Sequence, residues 1–378
     1  MISKPENRNV STKSRDLGDS FYYVFSAISG VQAGREYYVA MCPLKLIPKI
    51  FLFDEDEIPP EVRAQRALNH ARVPEIARYI VDNPTQYVFS SLTASVDGEV
   101  QFVPLEEGNQ FLGKLMIPMT AQFIINDGQH RRAAIEEALK QRPELGDETI
   151  SVVFFVDSEL RRSQQMFADL NKHAIRPTKS IGILYDLRDP LSELARQLIS
   201  SIDCFRGLTE TERTTISNRS TKLFTLSGIY QGTQSLLRKQ KHATISVPEA
   251  ALAQDFWKEI QKYMPEWQLA QQRKIAPAEL RRDYIHAHGL ALHALGLAGA
   301  ALIAEFPQNW KEHLPRLKKI DWARSNAALW EGRATMGGRV SKAHSNVLLT
   351  ASFIKKTLAV ELTSEESRLE ESLKKRGA

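Results

Sequence analysis

Apolar residues recur along this chain with two different periods. Up to about residue 180, short β-branched and aromatic runs alternate with single helical patterns; beyond Asp189-Pro190, apolar clusters return almost everywhere at three- and four-residue spacing. The first region reads as an α+β domain over 19–185, preceded by a disordered lead-in at 1–18, and the second as an all-helical domain over 186–378. Residues 21–39 predict a strand pair around 30–34, and 46–53 a further extended run ended by Pro59-Pro60. Helices are predicted at 61–68, which carries Gln65 and Arg66, and at 73–81, where Val73, Ile76, Ala77 and Ile80 share a face. Residues 87–96, the turn Asp97-Gly98 and 99–103 predict a hairpin. A buried strand at 123–125 then breaks at Gly128 into a helix that turns Ala134, Ile135, Ala138 and Leu139 inward and leaves its basic first turn in solvent. A strand at 149–156 follows, then a helix to about Asn171 with Leu160, Phe167 and Leu170 inward, capped by Asp157 or Ser158. In the second region Pro190 opens an amphipathic helix, and further helices are predicted at 221–239, 248–263, 279–305 and 347–362. Residues 289–304 are apolar apart from His293, too short for a bilayer span and consistent with a buried helix.

The strand, glycine turn and helix around Asp127, Gly128, Gln129, His130, Arg131 and Arg132 carry the first candidate chemistry. Gly128 can adopt the positive φ that such a turn requires. Free N–H groups and the positive end of the helix dipole then point where the arginines also reach, which suits a phosphate. The alternative is that Asp127 caps the helix and the arginine pair is solvated. Asn171, Lys172 and Arg176, at the end of a later helix, could complete an anion site, although an Asn there also serves as a helix cap.

Composition adds limits. The chain has 378 residues, 43% hydrophobic and 25% charged, with a net charge of +5, an ordinary globular balance that permits an anionic partner. The excess is concentrated: 206–243 holds Arg206, Arg213, Arg219, Lys222, Arg238, Lys239 and Lys241 against Glu210 and Glu212. Residues 311–342 hold Lys311, Arg316, Lys318, Lys319, Arg324, Arg333, Arg339 and Lys342 against Glu312, Asp321 and Glu331. These stretches could contact nucleic-acid phosphates, with Asn218, Ser220, Thr221, Ser341 and Asn346 as neutral donors and a weakly signalled helix-turn-helix in 206–241, or could simply be solvated faces. Cys42 and Cys204 stand alone, so neither a disulfide framework nor a zinc site is indicated, and a reducing cytoplasm fits. His286, His288 and His293 do not share one helical face, so a resident metal is not expected. Serine-elbow, zincin and P-loop motifs are absent from the sequence.

The run Asp127-Gly128-Gln129-His130-Arg131, together with 167–171, Trp330-Glu331-Gly332-Arg333 and Gly338-Arg339-Val340, resembles the DGQHR-motif, DndB-like family linked to bacterial DNA sulfur modification, over nearly the whole chain. That family is similar to the ParB/sulfiredoxin-like group, in which the corresponding turn holds nucleotide phosphates or contacts DNA. The resemblance implies an N-terminal ParB/sulfiredoxin-like domain. It also implies that Asp127 orients the turn or a metal-bound phosphate, Gly128 permits close backbone approach, and Gln129, His130 and Arg131 contact the anion. The implied function is a repressor that binds double-stranded DNA at the promoter of a phosphorothioation operon without transferring sulfur itself. Arg213, Arg219, Lys222, Arg238, Lys239, Lys241, Arg333 and Arg339 are then the candidate DNA contacts. The competing reading is an accessory component that binds a nucleotide with Mg and hydrolyses it, with His130 or Asp127 positioning water or metal. Sulfiredoxin-like chemistry requires a cysteine where Gln129 stands and is disfavoured. Other phosphorothioation proteins are further candidate partners, and homo-oligomerisation stays open.

Overall fold

A computed structural model of the chain describes residues 21–51, 70–106, 108–157, 162–172 and 177–377. The lead-in at 1–18, the helix expected at 61–68, Ser158, Leu160 and Arg176 lie outside these described residues. Contacts divide the chain into two compact units, Met1–Ile175 and Arg176–Ala378, and each has its own hydrophobic core.

The first unit is built on a seven-stranded mixed sheet. Its strands are β1 (Tyr22–Gln32), β2 (Arg35–Pro43), β3 (Leu92–Asp97), β4 (Gln101–Glu106), β5 (Asn109–Pro118), β6 (Gln122–Asp127) and β7 (Thr149–Val156), in the order β4-β5-β1-β2-β7-β3-β6. β3 and β7 run parallel; the other neighbours are antiparallel. β1 and β2 meet at Ala33 and Gly34, whose φ values of 51° and 73° are those a tight two-residue hairpin demands. Period-two alternation turns Phe25, Ala27, Tyr38 and Ala40 into the core, while Val24, Ile28 and Met41 face the other way and stay more than half exposed. Helices α1 (Val73–Asp82) and α2 (Gln129–Gln141) pack on each other and bury Ala77 and Ile80 against Ala134, Ile135 and Ala138. A third helix, α3 (Ser163–Lys172), lies against β6.

Four expectations for this unit are corrected. The run at 46–53 is not extended: it forms a 3-10 turn, Leu44–Leu46, and one helical turn, Ile47–Ile50. Ile47, Ile50 and Phe51 are all buried, and their helical spacing outweighs a β-branched composition. The hairpin across Asp97-Gly98 does not exist, since β3 pairs with β6 and β7 while β4 crosses to the far edge and pairs with β5. Leu92, Ala94 and Val96 are fully buried and demand a neighbour on each side, whereas β4 is largely exposed and suits an edge. The strand at 123–125 is itself an edge strand, with Phe123 and Ile124 only half-buried. In α3, Leu170 is 43% exposed rather than inward.

The second unit contains α4 (Lys179–Tyr185), α5 (Pro190–Ser201), α6 (Leu226–Leu237), α7 (Val247–Ile260), α8 (Pro265–Gln271), α9 (Pro277–Asp283), α10 (Gly289–Glu305), α11 (His344–Leu358) and α12 (Ser364–Gly377). It is predominantly rather than wholly helical. Thr209–Glu210 pairs with Phe224–Thr225, and Thr335–Met336 with Arg339–Val340. The cap of α5 is Asp189, whose carboxylate accepts from Ser192 N at 3.2 Å and from the Tyr230 hydroxyl at 3.0 Å. Ser246 and Glu249 form a reciprocal capping box on α7. α10 is apolar on all sides and buried, with α6 and α11 packed against it. A Cβ on Gly296 would lie 2.0 Å from the Gly232 carbonyl oxygen, so the α6 and α10 backbones touch. The helix expected over 279–305 breaks at 284–288 because Ile285 N donates to Trp322 O and Asp283 O accepts from Arg324 N, which diverts the main chain from helical bonding.

Candidate anion site and basic surfaces

β6 ends at the sheet edge in the Asp127-Gly128 turn. Gly128 sits at φ 109° as the residue preceding α2, and a Cβ there would lie 2.4 Å from Leu92 Cδ2, so both backbone and packing require glycine. The pairing register of β3 with β6 shifts between Thr93 and Ala94, skipping Asn126. The buried Asn126 amide donates to Ser95 Oγ at 2.7 Å and its oxygen accepts from Ser163 Oγ at 2.6 Å, tying β6, β3 and α3 together behind the turn. Asp157 holds the approach to α3 by accepting from Arg162 N at 2.9 Å, and its burial raises the carboxyl above its ordinary value.

The turn's side chains divide by role. Asp127 does not cap the helix; its carboxylate accepts from Arg131 Nη2 at 2.8 Å and remains about half exposed. Arg131 also donates to Ser90 Oγ, and its buried Nε has no acceptor among the described residues. Gln129 Nε2 reaches back to Ile125 O at 3.1 Å. His130 is half-buried beside it. Arg132, expected in solvent, is buried at 8% exposure; it donates to Phe51 O at 2.9 Å and Pro48 O at 3.1 Å and pairs with Glu136. Its charge anchors the 48–51 segment, which removes it from the group facing an anion. Asn171 lies in the last turn of α3, and Arg176 lies outside the described residues. Ser90, the arginine's second partner, was invisible to local pattern because it joins the turn from 41 residues away. Among the described residues the turn gathers one exposed carboxylate, one arginine already paired with it and a helix N-terminus with no acidic residue in its first turn.

In the second unit the basic stretches split into internal and exposed charges. Arg333 is buried at 8% and donates to Glu370 Oε2 at 3.1 Å and Leu349 O at 2.6 Å, so the expectation that it contacts DNA is corrected: it is a packed ion pair. Lys239 pairs with Glu249 at 2.8 Å, Lys222 Nζ donates to Gly207 O at 2.8 Å, and Arg238 donates to Ala300 O at 3.1 Å. Asn346 is likewise buried, donating to Gly332 O and Arg333 O and accepting from Ser341 Oγ at 2.7 Å. Arg213, Arg219, Lys241 and Arg339 are exposed, as is Arg238 despite its bond to Ala300 O. The 206–241 stretch holds one helix, α6, so no helix-turn-helix forms there. Trp330-Glu331-Gly332-Arg333 builds a tight loop: Trp330 is fully buried, and the Glu331 carboxylate accepts from Gly337 N and Gly338 N. The left-handed Gly337 and Gly338 then present Arg339 at the tip.

The histidines serve packing. His286 Nδ1 accepts from Trp267 Nε1 at 3.0 Å, its Nε2 faces Glu266 at 3.2 Å, and His288 Nε2 donates to Arg281 O at 2.8 Å. Among the described residues no three His, Cys, Asp or Glu side chains converge as metal ligands. Cys42 and Cys204 are buried; burial pushes the Cys42 thiol up to about 12 and the Cys204 thiol higher than its usual range, which leaves neither as a ready thiolate. No helix of the described residues is long and apolar enough to cross a membrane.

No curated protein and no solved structure matches the chain. A family model, DndB, described as DNA-sulfur modification-associated, matches residues 25–361, which span the sheet, the turn and almost all of the helical unit. The chain therefore belongs to the DndB family and is associated with DNA sulfur modification.

Proposed function

We propose that the protein is a double-stranded-DNA-binding repressor of a phosphorothioation operon. The observation that carries this reading is the division of the basic stretches: once Arg333, Lys239, Lys222 and Arg238 are tied to the protein's own acceptors, Arg213 and Arg219 on a loop and Arg339 in a short strand remain exposed with no ion-pair partner among the described residues. Exposed, unpaired arginines suit phosphate contacts. Family membership supplies the sulfur-modification context. Fluorescence anisotropy with the operon's own promoter and a scrambled duplex tests the reading. Tighter binding to the promoter, weakening steeply with salt, is expected; equal affinity for both duplexes, or none, overturns it.

A second reading has its own support at the turn. Among the described residues Arg131 carries a buried Nε without an acceptor beside the α2 N-terminus, an arrangement suited to a nucleotide phosphate. Asp127 would face a Mg ion and Arg131 the phosphate. Phosphate release that is lost in both His130→Ala and Arg131→Ala would support nucleotide hydrolysis here, and turnover unchanged in both would exclude this site.

A further inference from the structure

A cavity of about 560 Å³ opens in the second unit, away from the Asp127 turn in the chain and walled in part by the loop that carries Arg213 and Arg219. Its walls include Thr214, Thr215 and Asn218 from one loop, Arg281 from α9, Lys342, and Arg324, whose guanidinium also donates to Gly338 O and, at 3.5 Å, to Arg282 O and keeps its other N–H groups for a ligand. Gly289, the first residue of α10, lies at its floor beside Lys342, whose Nζ would be 3.8 Å from a Cβ placed there. α10 has no acidic residue in its first turn and no side-chain cap. An ammonium over a helix N-terminus is a repulsive placement, and an anion between them reverses its sign.

Arg281 supplies an independent observation. It is buried to 9% exposure, and its guanidinium donates to Ser217 O at 2.8 Å, Ser220 O at 3.1 Å and Lys222 O, with no carboxylate paired to it among the described residues. A buried guanidinium held only by carbonyls keeps its full charge beside the cavity. His288 registers the resulting field: burial first, opposed by its bond to Arg281 O, and then the charges of Arg324, Lys342 and Arg281 push it down to about 4. The nearby carboxylates are Glu279, exposed on the wall, and Asp283, which pairs outward with Arg282 at 2.8 Å. Leu223, Phe224 and Ala287 add an apolar wall.

We propose that this cavity binds a phosphate monoester of nucleotide size, its phosphate held by Lys342, Arg324 and the α10 N-terminus, with Thr214, Thr215 and Asn218 as neutral donors. The volume is that of a small-molecule pocket, and one cationic end with one apolar wall suits a phosphate joined to a flat organic group. A DNA backbone would instead track an open groove. The proposal does not rest on the repressor reading.

Calorimetric titration of the full chain with inorganic phosphate, AMP and a 20-base-pair duplex tests it. AMP is expected to bind at one site and inorganic phosphate to compete with it. Lys342→Met, on an exposed side chain, and Arg324→Met should each weaken AMP about tenfold, while Lys140→Ala, exposed in the first unit, leaves the affinity unchanged. Failure of AMP and phosphate to bind overturns the proposal, as does wild-type affinity for AMP in both cavity variants. Loss of AMP binding only in Arg131→Ala would move the site to the Asp127 turn. Duplex binding that is sensitive to Lys342→Met without any AMP binding would make the cavity a DNA contact instead.

Discussion

Gly128 shows how much one residue can fix. Its φ of 109° and the 2.4 Å approach of Leu92 to a would-be Cβ leave no room for a side chain, so Gly128→Ala should cost about 1–3 kcal/mol in a urea titration. A change below about 0.5 kcal/mol would show that the turn relaxes. Glu370 is a second residue with wide influence. Its burial alone would raise the carboxyl, but hydrogen bonds from Arg333 and Lys356 outweigh it and hold the group below its ordinary 4.5. Because the folded value is depressed, the stabilisation is complete above the ordinary value and is lost as pH falls through the folded one. Glu370→Gln should therefore destabilise by about 3–5 kcal/mol at neutral pH, since Arg333 is left buried without a counter-charge, and this deficit should shrink in acid. A deficit that stays constant from pH 7 down to the acid limb of unfolding would assign the loss to packing. The neighbouring arginines Arg131 and Arg132 make the same point about context: one stays at the turn beside Asp127, while its neighbour is drawn inward by the Phe51 and Pro48 carbonyls.

Elements followed local signals where those signals were complete. Pro190 with Asp189 started α5, and Ser246 with Glu249 started α7, because a cap and its acceptor lie within one helical turn. Gly296 and Gly299 are where α10 meets its neighbours: Gly296 touches the Gly232 carbonyl and Gly299 faces the Phe256 ring. Gly296→Ala forces backbone apart and should cost about 1–3 kcal/mol or more, read as a lower thermal midpoint. Gly182→Ala, in α4 with nothing within 4 Å of its Cβ, should instead stabilise by about 0.5–1 kcal/mol. The same direction of shift in both variants would contradict this packing argument. Strand partners, by contrast, escaped the local pattern. Alternation marks which face of β3 is buried, and it says nothing about whether the next strand or one beyond residue 120 completes the ladder.

For the molecule as a whole, the relevant quantity is the charge left over after internal pairing rather than the net +5. Arg213→Ala and Arg219→Ala should each lower the slope of log affinity for DNA against log salt by about 0.9, whereas Lys239→Ala, whose charge is spent on Glu249, should leave the slope nearly unchanged. Equal slope changes in all three variants would mean that internal ion pairing does not decide which charges reach the duplex. The family match extends across both cores, so the sheet with its turn and the helical unit form one inherited chain rather than a motif attached to an unrelated partner.

The sequence by itself determined the change of period near residue 180, the glycine turn ahead of α2, the caps of α5 and α7, and the DGQHR resemblance that the family match bears out. Each of these depends on residues a few positions apart, or on a contiguous motif. Tertiary structure alone decided the order of the sheet, the inward turn of Arg132 onto a carbonyl 81 residues away, and the pairing of Arg333 with Glu370 at a separation of 37. It also gathered Thr214, Arg281, Arg324 and Lys342 around one cavity. The reason is physical: a charged side chain takes whichever acceptor the fold brings within about 3 Å, and periodicity records only which way each residue faces.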